Sequence, residues 1–194
     1  MTDDLLRGQL VRLAASNPET DADTVAAWSW NSEFGHYLQI NEPRPWSVQG
    51  TRAEMTEDMN DEKSQGRNFP FSIRTLADNR LIGFLHLEVN DWPQRDAWLA
   101  IAIGRPEDWG KGYGTDAMRV LMRYGFCELN LERLTLNVFE YNERAVRSYL
   151  KAGFVIEGRQ RQRLRRGDRR YDIIFMGVLR DEWQVQQSAG AAQP

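Results

Sequence analysis

A glycine-rich segment is the part of this sequence best suited to chemistry. Three glycines lie within five residues of the run Trp109-Gly110-Lys111-Gly112-Tyr113-Gly114-Thr115. The run follows an apolar stretch typical of a strand and precedes a helical pattern, so backbone N–H groups and the positive end of a helix dipole meet there. This arrangement predicts an anion site suited to phosphate. The alternative interpretation is a tight strand-to-helix turn without a ligand.

Two common phosphate-binding motifs do not fit this segment. A Walker A loop requires Ser or Thr after its lysine, whereas Gly112 follows Lys111 here. The dinucleotide fingerprint requires G-x-G-x-x-G, whereas the spacing here is G-x-G-x-G. Neither motif therefore accounts for the glycines.

A second pattern lies downstream, between Asn142 and Phe154. It begins after an apolar stretch, and Asn142 is well suited to cap the N-terminus of a helix. Ala145 and Tyr149 are four residues apart and share a helix face, where the small alanine lets another group approach closely. Gly153 suits a left-handed C-terminal cap. Taken singly, Asn142 is interpreted as a simple cap and Tyr149 as a packed aromatic.

The elements that must position these two patterns include both strands and helices. Strands are predicted at 10–13, 69–75, 81–89, 97–103, 134–139, 154–163 and 170–179. Helices are predicted at 20–30, 51–63, 116–129 and 143–152, and two prolines break regular structure within 41–46. The order predicts a mixed α/β domain around one sheet.

Composition and charge exclude several classes of protein. The 194 residues are 41% hydrophobic, which supports a packed core and argues against a disordered chain. A net charge of −3 argues against a general nucleic-acid binder, since phosphate neutralisation needs clustered excess base. Cys127 is the single cysteine, so no internal disulfide, thiolate zinc cluster or other metal site is predicted. One domain is expected over residues 1–183, followed by a flexible polar tail over 184–194.

The sequence carries no visible targeting or membrane signal. Its first residues, MTDDLL, are acidic and lack the apolar segment of a signal peptide. The longest strongly apolar run, near residues 173–179, is far shorter than the about 20 residues that span a membrane. A cytoplasmic location without a membrane partner is therefore expected.

Together the two motifs resemble the GNAT superfamily of acetyl-CoA-dependent N-acetyltransferases. The resemblance is carried by G-x-G-x-G-T at the start of one helix and N-x-x-A-x-x-x-Y-x-K-x-G-F in the next, and it covers about residues 70–180. Residues 172–183 also look like the last strand of the branch that contains ribosomal-protein alanine acetyltransferases. The resemblance implies an α/β GNAT fold, with one mostly antiparallel, partly splayed sheet of about six to seven strands and about four flanking helices.

In such enzymes acetyl-CoA binds where the strand before the glycine loop diverges from its neighbour. The resemblance implies that backbone groups of Ala102, Ile103 and Gly104 pair with the pantetheine arm, and that a backbone N–H of this strand stabilises the oxyanion. The loop usually starts with Gln or Arg, and Trp109 removes that side-chain donor. The implied coenzyme-binding residues are Ala102, Ile103, Gly104, Trp109, Gly110, Lys111, Gly112, Tyr113, Gly114, Thr115, Asn142 and Tyr149.

The resemblance also implies roles in catalysis. Tyr149 would protonate the departing thiolate as general acid. The amine must lose a proton before attack, and Glu88 is the candidate for that step, with His86 and Glu140 as further candidates. The alternative for Glu88 is a solvated carboxylate on a strand face, and for His86 a hydrogen-bonded histidine.

The acceptor is expected to be a primary amine, either a protein or peptide N-terminus or a small cationic amine. Residues 1–70 carry 12 acidic and 6 basic side chains, a balance of −6 that suits a cationic acceptor. One alternative is a non-catalytic acyl-CoA-binding or sensing domain, and a homodimer is compatible with either function. Another is an RNA- or ribosome-interacting module built on the seven arginines between residues 159 and 170, which a solvated hairpin face also explains.

Overall fold

Seven strands and six α-helices make up the described part of the chain, residues 4–38, 44–60 and 66–191 of a computed structural model. The strands are β1 (Val11–Ala15), β2 (Asn68–Thr75), β3 (Leu81–Asp91), β4 (Asp96–Ile103), β5 (Arg133–Phe139), β6 (Val155–Arg166) and β7 (Arg169–Leu179). The helices are α1 (Pro18–Trp28), α2 (Ser32–Leu38), α3 (Val48–Asp58), α4 (Tyr113–Cys127), α5 (Glu143–Ala152) and α6 (Arg180–Ala191). The predicted fold class is confirmed, with α2 and α6 in addition to the four predicted helices.

The seven strands form one sheet in the order β1-β2-β3-β4-β5-β7-β6. Neighbouring strands are antiparallel except β4 and β5, which run parallel. A parallel pair needs a crossover connection, and α4 supplies it here. The glycine-rich segment lies in this crossover, between β4 and the start of α4.

The two faces of the sheet carry different cores. The larger core lies against α4, where Leu87 of β3 and Phe126 of α4 are fully buried. The smaller core lies on the opposite face, where Trp28 of α1 and Phe34 of α2 pack near Phe84. The alternation of side chains along β3 therefore sends Leu87 to one core and Phe84 to the other.

Asp116 ties the start of α4 to the N-terminal segment. Its buried carboxylate accepts backbone N–H bonds from Gln9, Leu10 and Val11 at 2.7–3.1 Å. A Cβ at Gly8 would lie 2.4 Å from Asp116 Oδ2, so the chain needs glycine at this close approach. The negative charge also suits the first turn of a helix. These contacts fix the segment that leads into β1 against the helix that follows the glycine loop.

The C-terminal segment is helical in its described part. Residues 184–191 belong to α6, which begins at Arg180. Trp183 packs against Phe126 with ring centroids 5.3 Å apart, and Gln186 Nε2 donates to the carbonyl oxygen of Gly153 at 3.2 Å. These two contacts tie the first turns of α6 to the rest of the domain, and the flexibility of residues 184–194 stays a prediction.

The arginine-rich strand β6 is less regular than its sequence alternation predicts. Its register against β7 shifts between Gln160 and Leu164, and Gln162 has a left-handed φ of 52°. Arg159, Arg161, Arg163 and Arg165 alternate in the sequence and would line one face of a regular strand, but the bulge interrupts that face.

Two predictions fall partly outside the described residues. The helix predicted over 51–63 corresponds to α3, and residues 61–63 lie outside the described part. The break in regular structure is predicted at the two prolines within residues 41–46. Residues 41–43 of that range also lie outside the described part of the chain. None of the helices in the described ranges is long and apolar enough to cross a membrane.

Candidate active site

The parallel strands β4 and β5 separate along their length. They pair at only three positions, Asp96 with Arg133, Ala97 with Leu134 and Trp98 with Thr135. Beyond Trp98, β4 continues to Ile103 while paired with β3 alone. The sheet therefore opens between its two central strands, which is the partly splayed arrangement that the sequence predicted.

The register of β4 shows which backbone groups face this opening. Gly104 donates its N–H to the carbonyl oxygen of Ile82 at 2.9 Å, so Gly104, and Ala102 two residues before it, turn their backbone groups toward β3. Trp109 Nε1 donates to the carbonyl oxygen of Ile103 at 2.7 Å, on the opposite side. Backbone N–H and C=O groups point to opposite sides in successive residues of a strand. Those of residues 99, 101 and 103 therefore point toward the opening. The pairing of Ala102, Ile103 and Gly104 with a pantetheine arm stays a prediction; in this register Ala102 and Gly104 face β3, and Ile103 faces the opening with its carbonyl oxygen bonded to Trp109.

A cavity of 310 Å³, called the loop cavity below, lies between the opening, the glycine segment and α5. Ten of the twelve predicted coenzyme-binding residues line it: Ala102, Ile103, Trp109, Gly110, Gly112, Tyr113, Gly114, Thr115, Asn142 and Tyr149. Gly104 and Lys111 lie outside it and line a separate open groove beside Trp28. A Cβ at Gly104 would come within 2.0 Å of the Trp28 ring, so this glycine serves helix packing.

The glycine segment turns sharply before α4 begins. Gly110 and Gly112 have φ values of 75° and 87°, in the left-handed region that favours glycine. Gly112 is the N-cap of α4 and offers no side-chain cap, so the first N–H groups of the helix are left for another partner. Thr115 Oγ1 lies 2.8 Å from Ser148 Oγ and holds α4 against α5. The segment can therefore present backbone donors to an anion in the loop cavity.

An ion pair between the partly exposed Arg80 and the buried Asp108 lies next to the glycine segment. Arg80, in the turn between β2 and β3, donates two hydrogen bonds to the carboxylate of Asp108, at 2.7 and 2.8 Å. These bonds hold the pKa of Asp108 below its usual range, although burial opposes them. Lys111 Nζ is 4.0 Å from the same carboxylate. The sequence analysis missed this pair, because Arg80 and Asp108 are far apart in the chain and belong to neither motif.

Tyr149 and Asn142 lie at the inner end of the loop cavity. Burial raises the pKa of Tyr149 to about 12, so its phenol keeps its proton at neutral pH. Asn142 Oδ1 accepts the N–H of Ala145 at 3.2 Å, which confirms its interpretation as the cap of α5. The Nδ2 group of Asn142 has no partner in the described ranges of the chain. Tyr149 can therefore donate a proton, and Asn142 can donate a hydrogen bond, to a molecule in the cavity.

A second cavity of 320 Å³, called the sheet cavity below, continues from the first across the central strands. Five residues line both cavities: Tyr37, Leu38, Ile101, Asn142 and Tyr149. His86 and Glu88 line only the sheet cavity, since the face of β3 that carries Phe84 points this way. The structure thus brings the predicted residues Tyr149 and Glu88 to connected spaces.

Glu140 is not part of either cavity lining. Its carboxylate accepts the backbone N–H of Asp172 at 3.0 Å and lies 3.4 Å from Arg159 Nη1. Because the carboxylate is held between β5 and β7, Glu140 serves the sheet rather than the site.

The carboxylate of Asp58 lies near those of Glu88 and Glu57. Burial raises the pKa of Asp58, at the end of α3; His86 lowers it, and the charges of Glu57 and Glu88 raise it further. Glu57, Asp58 and Glu88 therefore lie close enough to interact. Their combined charge gives this side of the sheet cavity a negative potential that favours a cation.

Sequence reasoning missed the residues that α2 contributes. Tyr37 lines both cavities, and its ring lies edge-on to Trp109 with centroids 5.8 Å apart. Tyr141 donates its hydroxyl hydrogen to the carbonyl oxygen of His36 and thereby links α2 to the end of β5. Arg144 lies over the Trp109 ring. The paired aromatic residues His36 and Tyr37 were the available signal, but nothing in their spacing indicated what they contact.

Among the described residues, no three His, Cys, Asp or Glu side chains are grouped so that they could hold a metal ion. The chemical groups along the two cavities include backbone donors, the buried phenol of Tyr149, the amide of Asn142, the guanidinium of Arg144 and the carboxylate of Glu88.

Comparison with known proteins relates this site to one family. Residues 11–155 match the family described as "Acetyltransferase (GNAT) domain". The "Uncharacterized N-acetyltransferase p20" of Bacillus licheniformis is 26% identical over 163 residues, which cover 84% of this chain and 89% of that protein. The "Putative ribosomal N-acetyltransferase YdaF" of Bacillus subtilis is 32% identical over 112 residues, which cover 58% and 61%.

A solved structure shares the whole fold. Spermidine N-acetyltransferase from Vibrio cholerae, in complex with CoA and spermine, aligns with a TM-score of 0.77 at 25% sequence identity. The alignment covers 90% of this chain and 98% of that chain. The similarity therefore extends over most of this chain and nearly all of that one.

Proposed function

The chain belongs to the GNAT family of acetyltransferases, which use acetyl-CoA, and we propose that it acetylates the primary amine of a small cationic acceptor. The observation that carries the proposal is the connection of the loop cavity to the acid-flanked sheet cavity at Tyr149. Acetyl-CoA binds in the loop cavity, and the amine approaches through the sheet cavity. The two reactants then meet between β4 and β5.

The pantetheine arm of acetyl-CoA lies along β4 in this proposal. The backbone groups of Leu99 and Ile101 face the opening and can pair with the amides of the arm, as a neighbouring strand would. The N–H groups at the start of α4 bind the pyrophosphate. A backbone N–H of the same strand is then available to the thioester carbonyl oxygen and stabilises the oxyanion of the tetrahedral intermediate.

The chemical step is a direct transfer. The neutral amine nitrogen attacks the thioester carbon, a C–N bond forms, and collapse of the intermediate breaks the C–S bond. Tyr149 gives its proton to the departing thiolate, because burial keeps the phenol protonated at neutral pH. Glu88, directly or through a water molecule, takes the proton that the amine loses.

The negative charge of the sheet cavity supports a cationic acceptor. Glu88 lines this cavity, and the carboxylates of Glu57 and Asp58 lie near it. A protonated amine is attracted to such a site before it loses its proton. The similar protein from Vibrio cholerae is named as a spermidine N-acetyltransferase and holds spermine, a polycation. An acidic peptide N-terminus would be repelled from the same surface.

A thiol-release assay tests the proposal. The purified chain and acetyl-CoA are mixed with spermidine, a diamine, a basic peptide and an acidic peptide with free N-termini. We expect the polycationic amines to give the highest kcat/KM and the acidic peptide the lowest. Faster turnover of the acidic peptide would overturn the proposed acceptor class. Binding of acetyl-CoA without thiol release for any amine would instead favour the non-catalytic sensing domain.

Tyr149→Phe tests the catalytic role. We expect kcat to fall about 100-fold, which is typical of a lost general acid, while the Kd of CoA changes little. Tyr124→Phe is the matched control, since Tyr124 packs against Phe69 and Phe71, away from both cavity linings. An unchanged kcat in Tyr149→Phe would remove the phenol from the mechanism.

A further inference from the structure

Arg144 has an unusual position in the loop cavity. It follows Asn142 by two residues in the first turn of α5 and belongs to the cavity lining. Its guanidinium carbon lies 3.8 Å from the centroid of the Trp109 ring and 5.0 Å from that of Tyr37. Two aromatic faces therefore hold the planar guanidinium at the wall of the cavity.

The guanidinium of Arg144 has no hydrogen bond or ion pair with any described residue. Burial lowers its pKa, and the carboxylate of Glu33, which raises the pKa, forms no ion pair with it. A half-buried cation with five N–H donors and no acceptor is costly to maintain. The stacked position keeps these donors free for an anionic ligand, for which a planar fork is well suited.

An anion bound by Arg144 must lie in the loop cavity and not in the sheet cavity. Arg144 is absent from the lining of the sheet cavity, where a cationic acceptor is expected. The indole N–H of Trp109 is already bonded to the carbonyl oxygen of Ile103, so the Trp109 side chain has no donor to offer. Trp109 instead provides the surface on which a guanidinium rests. Arg144 thus brings a charged side-chain donor from α5 to the cavity that the glycine segment lines.

We propose that Arg144, stacked on Trp109 and Tyr37, binds the pyrophosphate of acetyl-CoA and supplies the charged donor that the backbone of the glycine loop lacks. This inference rests on the proposed placement of acetyl-CoA in the loop cavity. The diphosphate then lies between backbone N–H groups of the loop and a bidentate guanidinium. The contact distinguishes CoA from shorter pantetheine thioesters that carry no phosphate.

The test compares two ligands with Arg144→Gln. Calorimetry measures the Kd of CoA and of pantetheine, which lacks the diphosphate, for the wild type and the variant. We expect Arg144→Gln to weaken CoA binding about 10- to 100-fold and to leave pantetheine binding unchanged. Arg144→Lys keeps the positive charge but loses the planar pair of N–H donors. We therefore expect a CoA affinity between those of the wild type and Arg144→Gln. Arg161→Gln, which removes one positive charge on the hairpin, is the matched control with an unchanged Kd.

The possible outcomes separate this inference from the proposed function. An unchanged CoA Kd in Arg144→Gln, or an equal loss for CoA and pantetheine, overturns the assignment to the pyrophosphate while the proposed function stands. If both Arg144 variants have a lower melting temperature and an unchanged CoA Kd, the contact of Arg144 with the two rings serves packing. That result also overturns the assignment of Arg144 to the pyrophosphate. If the wild type binds pantetheine and CoA with the same Kd, the proposed position of acetyl-CoA in the loop cavity is wrong, and so is the inference about Arg144.

Discussion

The loop cavity and the sheet cavity are assembled in different ways, although they meet at Tyr149. The loop cavity is formed mainly by two short contiguous segments, 109–115 and 142–149, and offers backbone donors. The sheet cavity is formed by side chains from α2, β3, β4 and β5, which are far apart in the sequence. One site is therefore specified by spacing within a segment and the other by the packing of several elements.

This difference separates what the two sites can recognise. Backbone groups at a helix start bind any phosphate of suitable shape, because they are present whatever the neighbouring side chains are. The sheet cavity has its negative charge from individual side chains such as Glu88, which single substitutions can change. The acceptor can therefore vary between related proteins while the coenzyme stays the same.

Among the substitutions that should affect one cavity and not the other, Glu88→Gln is expected to cause the largest loss of activity. We expect kcat/KM for a polycationic amine to fall about 100-fold, since both the proton acceptor and one negative charge are lost. The Kd of CoA should stay within about twofold, because Glu88 does not line the loop cavity. Steady-state kinetics and calorimetry measure the two quantities.

Glu140→Gln serves as the comparison for this substitution. Its carboxylate is bonded to Asp172 and lies outside both cavities, so we expect little change in kcat/KM. A large loss of kcat/KM in Glu140→Gln, together with a normal rate in Glu88→Gln, would reverse the assignment of the base.

A stability effect is expected for Asp108→Asn, which tests how far the loop cavity depends on a distant contact. Loss of the bidentate bonds from Arg80 should lower the free energy of unfolding at neutral pH by about 1–3 kcal/mol. Because the folded pKa of Asp108 is lowered, its contribution is present above about pH 4 and is lost as the pH falls through the folded value.

Urea unfolding at several pH values measures this contribution. The difference between wild type and Asp108→Asn should narrow as the pH falls from about 4, where the unfolded chain binds a proton, through the lower pKa of Asp108 in the folded protein. A difference that stays constant down to pH 2 would show that packing, and not the ion pair, supports the loop.

A smaller effect is expected for Gly110→Ala in the loop itself. The added Cβ meets no atom within 4 Å, so the cost of about 1–2 kcal/mol comes from the left-handed φ of 75° alone. Thermal unfolding measures it. Gly158→Ala is the control, since its Cβ also enters open space and its φ is not positive. Equal melting temperatures for the two variants would contradict the role of backbone conformation.

The smallest effect is expected for the double variant Arg161→Glu and Arg163→Glu. Neither side chain lines a cavity or makes an ion pair within the described residues, so kcat and KM should change less than about twofold. Acetyl transfer kinetics measure this. A marked loss of activity would extend the acceptor site to the hairpin and would break the division into two cavities.

The loop cavity could largely be predicted from the sequence. The left-handed glycines at 110 and 112, the cap at Asn142 and the buried Tyr149 all follow from local rules of spacing and conformation. The same rules predicted the strands and helices that flank them, because each has its own period of apolar residues.

The remaining features depend on packing between distant segments. The bonds of Arg80 to Asp108 and the stack of Arg144 on Trp109 join residues without a shared pattern. The packing role of Gly104 was not predicted, because it depends on the register of β4, which turns the Gly104 N–H to β3, and on the Trp28 ring, which lies where a Cβ would be. Register and helix docking are set by the whole core, which no local spacing reveals.

The gap between β4 and β5 has a consequence for the range of acyl groups that the protein accepts. The backbone of a sheet edge can pair with the amides of any extended, strand-like molecule. This pairing does not depend on the chemical groups attached beyond those amides. The edge here is internal, between two strands that are paired for three residues and then part. In the proposed placement of the pantetheine arm, thioesters with longer acyl chains present the same amides, so the edge would hold them equally well. Discrimination between acetyl and larger acyl groups must therefore come from the space left around Tyr149.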